Sequence, residues 1–246
     1  PFGEPLKKVQ QLDRNPKDYF ILGVYASAVH AKWIGPDNKV KVRALAVASE
    51  PYIFWKGENA AAIISQISIP SELGRLVSTS KQFNGPSGIA LDEKYLEPLG
   101  LTREDVWLCD LLPFTRINNG QMKAIKREYN PLREKYGLPE VTIPAVPKTF
   151  CDDERTKEII VELEESQAKK IILLGDIPIR EFLFRFDKRY KRLSEFKEYG
   201  KWHEFKIGGK EYQVLPLVHP RQAGKLGKAS YDWYEKHQDW VKGVSL

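Results

Sequence analysis

Apolar residues in this chain gather in short unbroken runs more often than they alternate with polar ones. DYFILGVY at 18–25, VWLCD at 106–110, KKIILLG at 169–175 and VLPLV at 214–218 are such runs. A strand with no alternation is buried on both faces, as in a parallel sheet. Residues 41–49 begin in alternation and become wholly apolar, which predicts a further strand. Helical spacing occupies 59–67, 90–99, 121–136 (broken near Pro131), 153–168 and 231–241. Residues 1–17 predict a short helix or lead-in, and residues 203–214 a hairpin around Gly208 and Gly209. Strands that alternate with helices predict an α/β fold, a three-layer α/β/α sandwich around a central, mostly parallel sheet. No low-complexity linker interrupts the chain, so residues 1–246 are expected to form a single domain.

Composition narrows the partners. No run of about 18 apolar residues exists, which excludes a membrane-spanning helix in this sequence. The formal net charge of +6 favours a polyanionic partner. Cys109 and Cys151 are the two cysteines, and their separation matches no zinc or iron–sulfur spacing. Small buried thiols in a reducing, cytoplasmic setting are expected, with no metal and no cofactor. No basic-then-apolar leader opens the sequence.

Candidate chemistry lies where the apolar runs end, because ligands in open α/β sheets sit beyond the carboxyl ends of the strands. The fourth run stops at His219-Pro220-Arg221, followed by QAGKLGKAS. A histidine there is placed for chemistry, with cations beside it for an anionic partner. Gly23 near the end of the first run permits close backbone approach and suits a pocket floor. Glu50 closes the 41–49 strand beside a dense aromatic cluster, PYIFWKG at 51–57.

Taken in order, these segments resemble the uracil-DNA glycosylase superfamily. GVYAS at 23–27 stands at the place of that family's first motif. QFNGPSG at 82–88 is similar to the segment whose aromatic stacks on an extruded base, and VWLCD at 106–110 to the strand that reads the base edge. LVHPR at 217–221 resembles the His-Pro-Ser motif, preceded by the strand ending at Gly175. The resemblance covers roughly residues 19–240 in order and spacing. Departures are plain. Val24, Tyr25 and Ala26 stand where active families carry an acid or asparagine, Asp110 replaces the base-reading asparagine, and Arg221 replaces the serine.

The resemblance implies a base-excision hydrolase of DNA repair, free of metal and iron–sulfur cluster, acting as a monomer that binds DNA. The base must leave the stack before its glycosidic bond is reachable. His219 would meet negative charge on the departing base, Glu50 would supply the missing carboxylate, and Asp110 would read an exocyclic amino group or donate as a neutral acid. Glu50 serves this role if its strand neighbours the first. Phe83 would stack on the base, with Tyr25, Ser27, His30 and Trp55 lining the pocket. Arg221, Lys225 and Lys228 would take phosphates while Leu226 enters the duplex as a wedge. Two rival expectations are a nucleic-acid-binding protein that has lost catalysis and a hydrolase of a small nucleoside-type ligand.

Overall fold

Eight strands are present among the described residues: β1 (Tyr19–Tyr25), β2 (Ala28–Ile34), β3 (Val40–Ser49), β4 (Arg75–Ser78), β5 (Val106–Leu112), β6 (Lys170–Leu174), β7 (His203–Ile207) and β8 (Lys210–Leu217). The coordinates are a computed structural model, which describes Phe2, Gly3 and residues 6–224 and 231–244. The strands form a five-stranded sheet in the order β5-β1-β6-β8-β7 and a three-stranded sheet in the order β3-β2-β4. The chain divides into two compact units built from interleaved segments.

The first unit comprises Pro1–Val9, Ala26–Pro86 and Phe114–Pro147. Its sheet is antiparallel, with β2 in the centre pairing both β3 and β4. Trp33, Leu45, Trp55 and Tyr129 lie in its core, with Phe2 set edge-on to Trp33 at 5.0 Å. Trp33 also donates its indole N–H to the Leu73 carbonyl at 2.8 Å, which satisfies the one polar atom it buries. The structure adds to the sequence reading here. β3 pairs with β2 and not with β1. Ala28–Ile34 and Arg75–Ser78 are strands to which the sequence pattern assigned no element. The described part of residues 1–17 contains no helix and serves as lead-in.

The second unit comprises Gln10–Tyr25, Ser87–Pro113 and Lys148–Leu246. All four unbroken runs become neighbouring parallel strands, β5, β1, β6 and β8, and β7 adds antiparallel to the edge. In β1 and β5 the inner residues are buried on both faces, as the missing alternation required. The β7–β8 turn is Gly208-Gly209, both at positive φ (56° and 88°), which a two-residue hairpin favours. The fold is mixed α/β with a mostly parallel central sheet.

The helix Asp153–Ser166 is capped by Asp152, whose side chain accepts the Arg155 amide at 2.8 Å. It turns Ile159 and Leu163 inward. Trp107 Nε1 reaches Glu162 of this helix at 3.4 Å, so alternate residues of β5 face it. No helix among the described residues is long and apolar enough to cross a membrane.

Candidate functional site

The chain leaves β1 toward β5 on one side, whereas β6 leads to β8 on the other. The crevice at the carboxyl ends of β1 and β6 is therefore the switch point where doubly wound sheets bind ligands. Register places Gly23 opposite Asp110, Tyr25 opposite Leu112 and Leu174 opposite Leu217. The ends of all four parallel strands thus share one rim, and His219 follows directly after it.

Several contacts fix His219. The Val218 amide donates to the Tyr199 hydroxyl at 3.2 Å, and the Val218 carbonyl accepts from the Tyr95 hydroxyl at 2.8 Å. Gly175, at φ +95°, donates its amide to the Leu217 carbonyl at 2.7 Å. A β-carbon at Gly175 would stand 3.0 Å from His219 Cβ, so glycine permits this approach. His219 itself caps the short helix Pro220–Ala223, its Nδ1 accepting the Arg221 amide at 3.2 Å.

That cap decides the tautomer. Burial, and then the neighbouring Arg221 charge, push the His219 pKa down to about 4, so the ring is neutral at pH 7. With Nδ1 accepting, the proton sits on Nε2. Nε2 has no hydrogen-bond partner among the described residues and is a donor ready for a ligand.

Asp110 is 3% exposed, and burial raises its pKa to about 7, with Arg155 pulling it down and Glu162 pushing it up. Trp107 and Cys109 face the Asp153–Ser166 helix through Glu162 and Arg155, so Asp110 points to the other side of the sheet. There its neighbour on β1 is Gly23, which has no side chain to cover it. The carboxyl receives no hydrogen bond among the described residues. β1 and β6 separate β5 from β8, which puts the backbones of Asp110 and His219 three strand spacings apart, roughly 14 Å. The two do not pair with each other. A ligand touching both would lie over the ends of β1 and β6, where Tyr25 stands exposed with its ring stacked on Phe150 at 6.3 Å.

The remaining pocket candidates, Glu50, Ser27, His30, Phe83 and Trp55, belong to the first unit. Glu50 is buried and accepts the Ser27 amide at 2.8 Å, while Thr115 donates to the Ser27 carbonyl. The condition for a catalytic Glu50, adjacency of its strand to β1, is not met, and its visible work is to hold the main chain at Ser27. His30 is clamped through its backbone by Asn84, which accepts its amide at 2.7 Å and donates to its carbonyl at 2.9 Å. Burial lowers the His30 pKa, and its Nδ1 has no partner among the described residues. Phe83 is half-buried in the turn Lys81–Phe83. That turn is anchored where Gly85, at φ +74°, meets the Lys56 backbone so closely that a β-carbon would fall 2.0 Å from it.

Trp55 is 1% exposed, lies in the core and donates its indole N–H to the Glu58 carbonyl at 3.0 Å. It is a packing residue and is withdrawn as a pocket wall. Sequence reading missed Asn84 and Thr115, whose buried side chains bond main chain far away in the sequence.

Arg221 is exposed on the first turn of its short helix, and Lys225, Leu226 and Lys228 lie outside the described residues. Cys109 and Cys151 are free and buried, and burial pushes both thiols up in pKa. No group of three or more His, Cys, Asp or Glu among the described residues could hold a metal ion. No protein-family model and no curated protein matches this chain.

Proposed function

We propose that this chain is a three-layer α/β/α protein of the uracil-DNA glycosylase superfamily that hydrolyses the N-glycosidic bond of a damaged or deaminated base in DNA. The observation that carries this reading is the pair of rim groups. A neutral histidine follows β8 with its Nε2–H unpartnered among the described residues, and a buried acid two residues before the end of β5 receives no hydrogen bond among them. Neither polar atom is engaged by the fold among the described residues, which leaves both groups available to a ligand.

In this reading the extruded base lies over the ends of β1 and β6. Its C–N bond breaks, the bonding pair passes to the base nitrogen, water adds its oxygen to the sugar carbon, and the proton that this water loses ends on the departed base. His219 Nε2–H donates to the charge that grows on the base. Asp110, half protonated near pH 7, donates to a base carbonyl or accepts from an exocyclic amino group. Tyr25 lines the approach, and Arg221 meets backbone phosphate. DNA is the partner, engaged by a monomer.

A second reading is a DNA-binding protein without catalysis, favoured by Val24, Tyr25 and Ala26 in place of the first-motif acid. One set of measurements separates them. Oligonucleotides carrying uracil, hypoxanthine, xanthine or mismatches are tested for abasic-site formation, with mobility shifts at two salt concentrations. Release of one base, lost by roughly 100-fold or more in His219→Ala, supports the hydrolase. Binding without release on every lesion, unchanged in His219→Ala, leaves the binding protein.

A further inference from the structure

The second unit holds a cavity of about 650 Å³ between residues 193–201 and the helix Tyr231–Val244. Trp233 and Trp240 fall two turns apart on that helix and so share a face. Both are half-buried and both line the cavity, as does Tyr199. The Tyr199 hydroxyl is engaged within the protein, with His237 Nδ1 at 2.6 Å, so the ring serves as wall and not as donor. Gly200, at φ +71°, packs on the edge of Trp240: a β-carbon there would meet Cδ1 at 2.1 Å. The segment is thereby pinned beside the helix at one point.

Charge on the lining is one-sided. Lys197, Lys201 and Lys236 line the cavity and are exposed, and the one acid, Asp239, lies 3.3 Å from Lys242. The Lys236 ammonium stands 4.9 Å from the centre of the Trp233 ring. Indoles beside ammonium groups fit an aromatic anion, because bases stack on aromatic faces while lysines take phosphate. The volume lies within the roughly 300–1,000 Å³ range of small-ligand pockets.

We propose that this cavity binds a nucleotide, its base against Trp233 and Trp240 and its phosphate among Lys197, Lys201 and Lys236. Tyr199 is shared with the His219 rim: it lines the cavity, and its hydroxyl receives the Val218 amide. Free nucleotide and a nucleotide of a single strand carry the same chemistry.

Calorimetric titration of the full chain with adenosine 5′-monophosphate, adenosine, inorganic phosphate and a four-nucleotide deoxyadenosine strand tests it. The monophosphate is expected to bind at least about 10-fold tighter than adenosine or phosphate alone, with affinity falling as salt rises. Trp240→Ala should weaken it by roughly 5- to 100-fold. Trp240 also supports Gly200, so the exposed pair Lys197→Glu with Lys236→Glu is the second variant. It should reduce binding about 10-fold or more and flatten the salt dependence. A strand that binds about 10-fold tighter than the mononucleotide identifies nucleic acid as the source, and equal affinity identifies free nucleotide. Absence of heat with both at millimolar concentration, or undiminished binding in the lysine variant, overturns the site. A chain that takes the nucleotide but releases no base keeps this site and loses the hydrolase reading.

Discussion

Arg155 Nη2 donates to the main-chain oxygen of Asp110 at 2.7 Å, while the Asp110 carboxyl on the other side of the sheet is offered no hydrogen bond among the described residues. The guanidinium also holds the Leu111 carbonyl through Nε at 3.1 Å, and Glu158 and Glu162 through Nη1 at 2.7 and 3.0 Å. Its charge is thus met by acids of its own helix, and it straps down the end of β5 without neutralising the acid it passes.

An acid left in that position makes stability depend on pH. The Asp110 pKa is about 7 in the folded chain against 3.8 for an ordinary aspartate, so between those values the native state holds the extra proton. Stability from that proton is present below pH 4 and is lost as pH rises through 7. Asp110→Asn is expected to raise stability at pH 8 by up to a few kcal/mol, at about 1.4 kcal/mol per pKa unit, and to change little at pH 4. Urea unfolding at the two pH values measures it. Equal effects at both would show that the carboxyl is solvated.

His219 and His237 act with the opposite sign. Both have pKa values pushed down to about 4, chiefly by burial, against an ordinary 6.5. The unfolded chain takes up protons first as pH falls, so stability present above pH 6.5 is lost between 6.5 and 4. His219→Ala should remove up to one proton from the uptake on unfolding in that window. Base release should keep its rate down to about pH 4; for a base that offers Asp110 a carbonyl it should decline above about pH 7 as the acid ionises, and Asp110→Asn should lack that decline. A rate that falls with a midpoint near 6.5 would contradict a neutral donor at His219.

Gly175→Ala places a β-carbon at φ +95° and 3.0 Å from His219 Cβ. The backbone term alone destabilises by about 1 kcal/mol or more. Base release should fall further than this loss of stability implies, because the imidazole shifts. Comparing melting midpoint with single-turnover rate separates the two effects.

Arg155→Met should destabilise by about 3–5 kcal/mol, since Glu162, with a side chain 12% exposed, then lies without its partner and two carbonyls at the end of β5 lose their donor. Restored stability in Arg155→Met with Glu162→Leu would confirm that the unpaired acid is the cause.

The parallel strands were legible because burial on both faces leaves a signature in the sequence itself, the unbroken run. β2 was not, since it starts at Ala28, with only Ala26 and Ser27 after β1, and carries His30 and Lys32. The partner of β3 could not be read either: periodicity tells which faces are buried, never which strand lies alongside. Asp110 and His219 were visible because each ends an apolar run with a polar atom. Trp55 looked like a pocket wall for the same local reason, an aromatic next to a strand end, and only the packing of distant segments shows it to be core. Asn84 and Thr115 work by bonding main chain at His30 and Ser27, a pairing across the chain that local pattern does not encode.

The interleaving of the two units has a consequence for biosynthesis. β1 ends at Tyr25, but its neighbours in the sheet begin at Val106 and Lys170. During translation the apolar segment from Phe20 to Val24 therefore waits, unpaired on both edges, while the whole of Ala26–Pro86 emerges. Long-range parallel pairing is slow, and an unpaired apolar strand is prone to stick to its like. This chain should be sensitive to the speed and temperature of its synthesis in a way that its finished stability would not reveal.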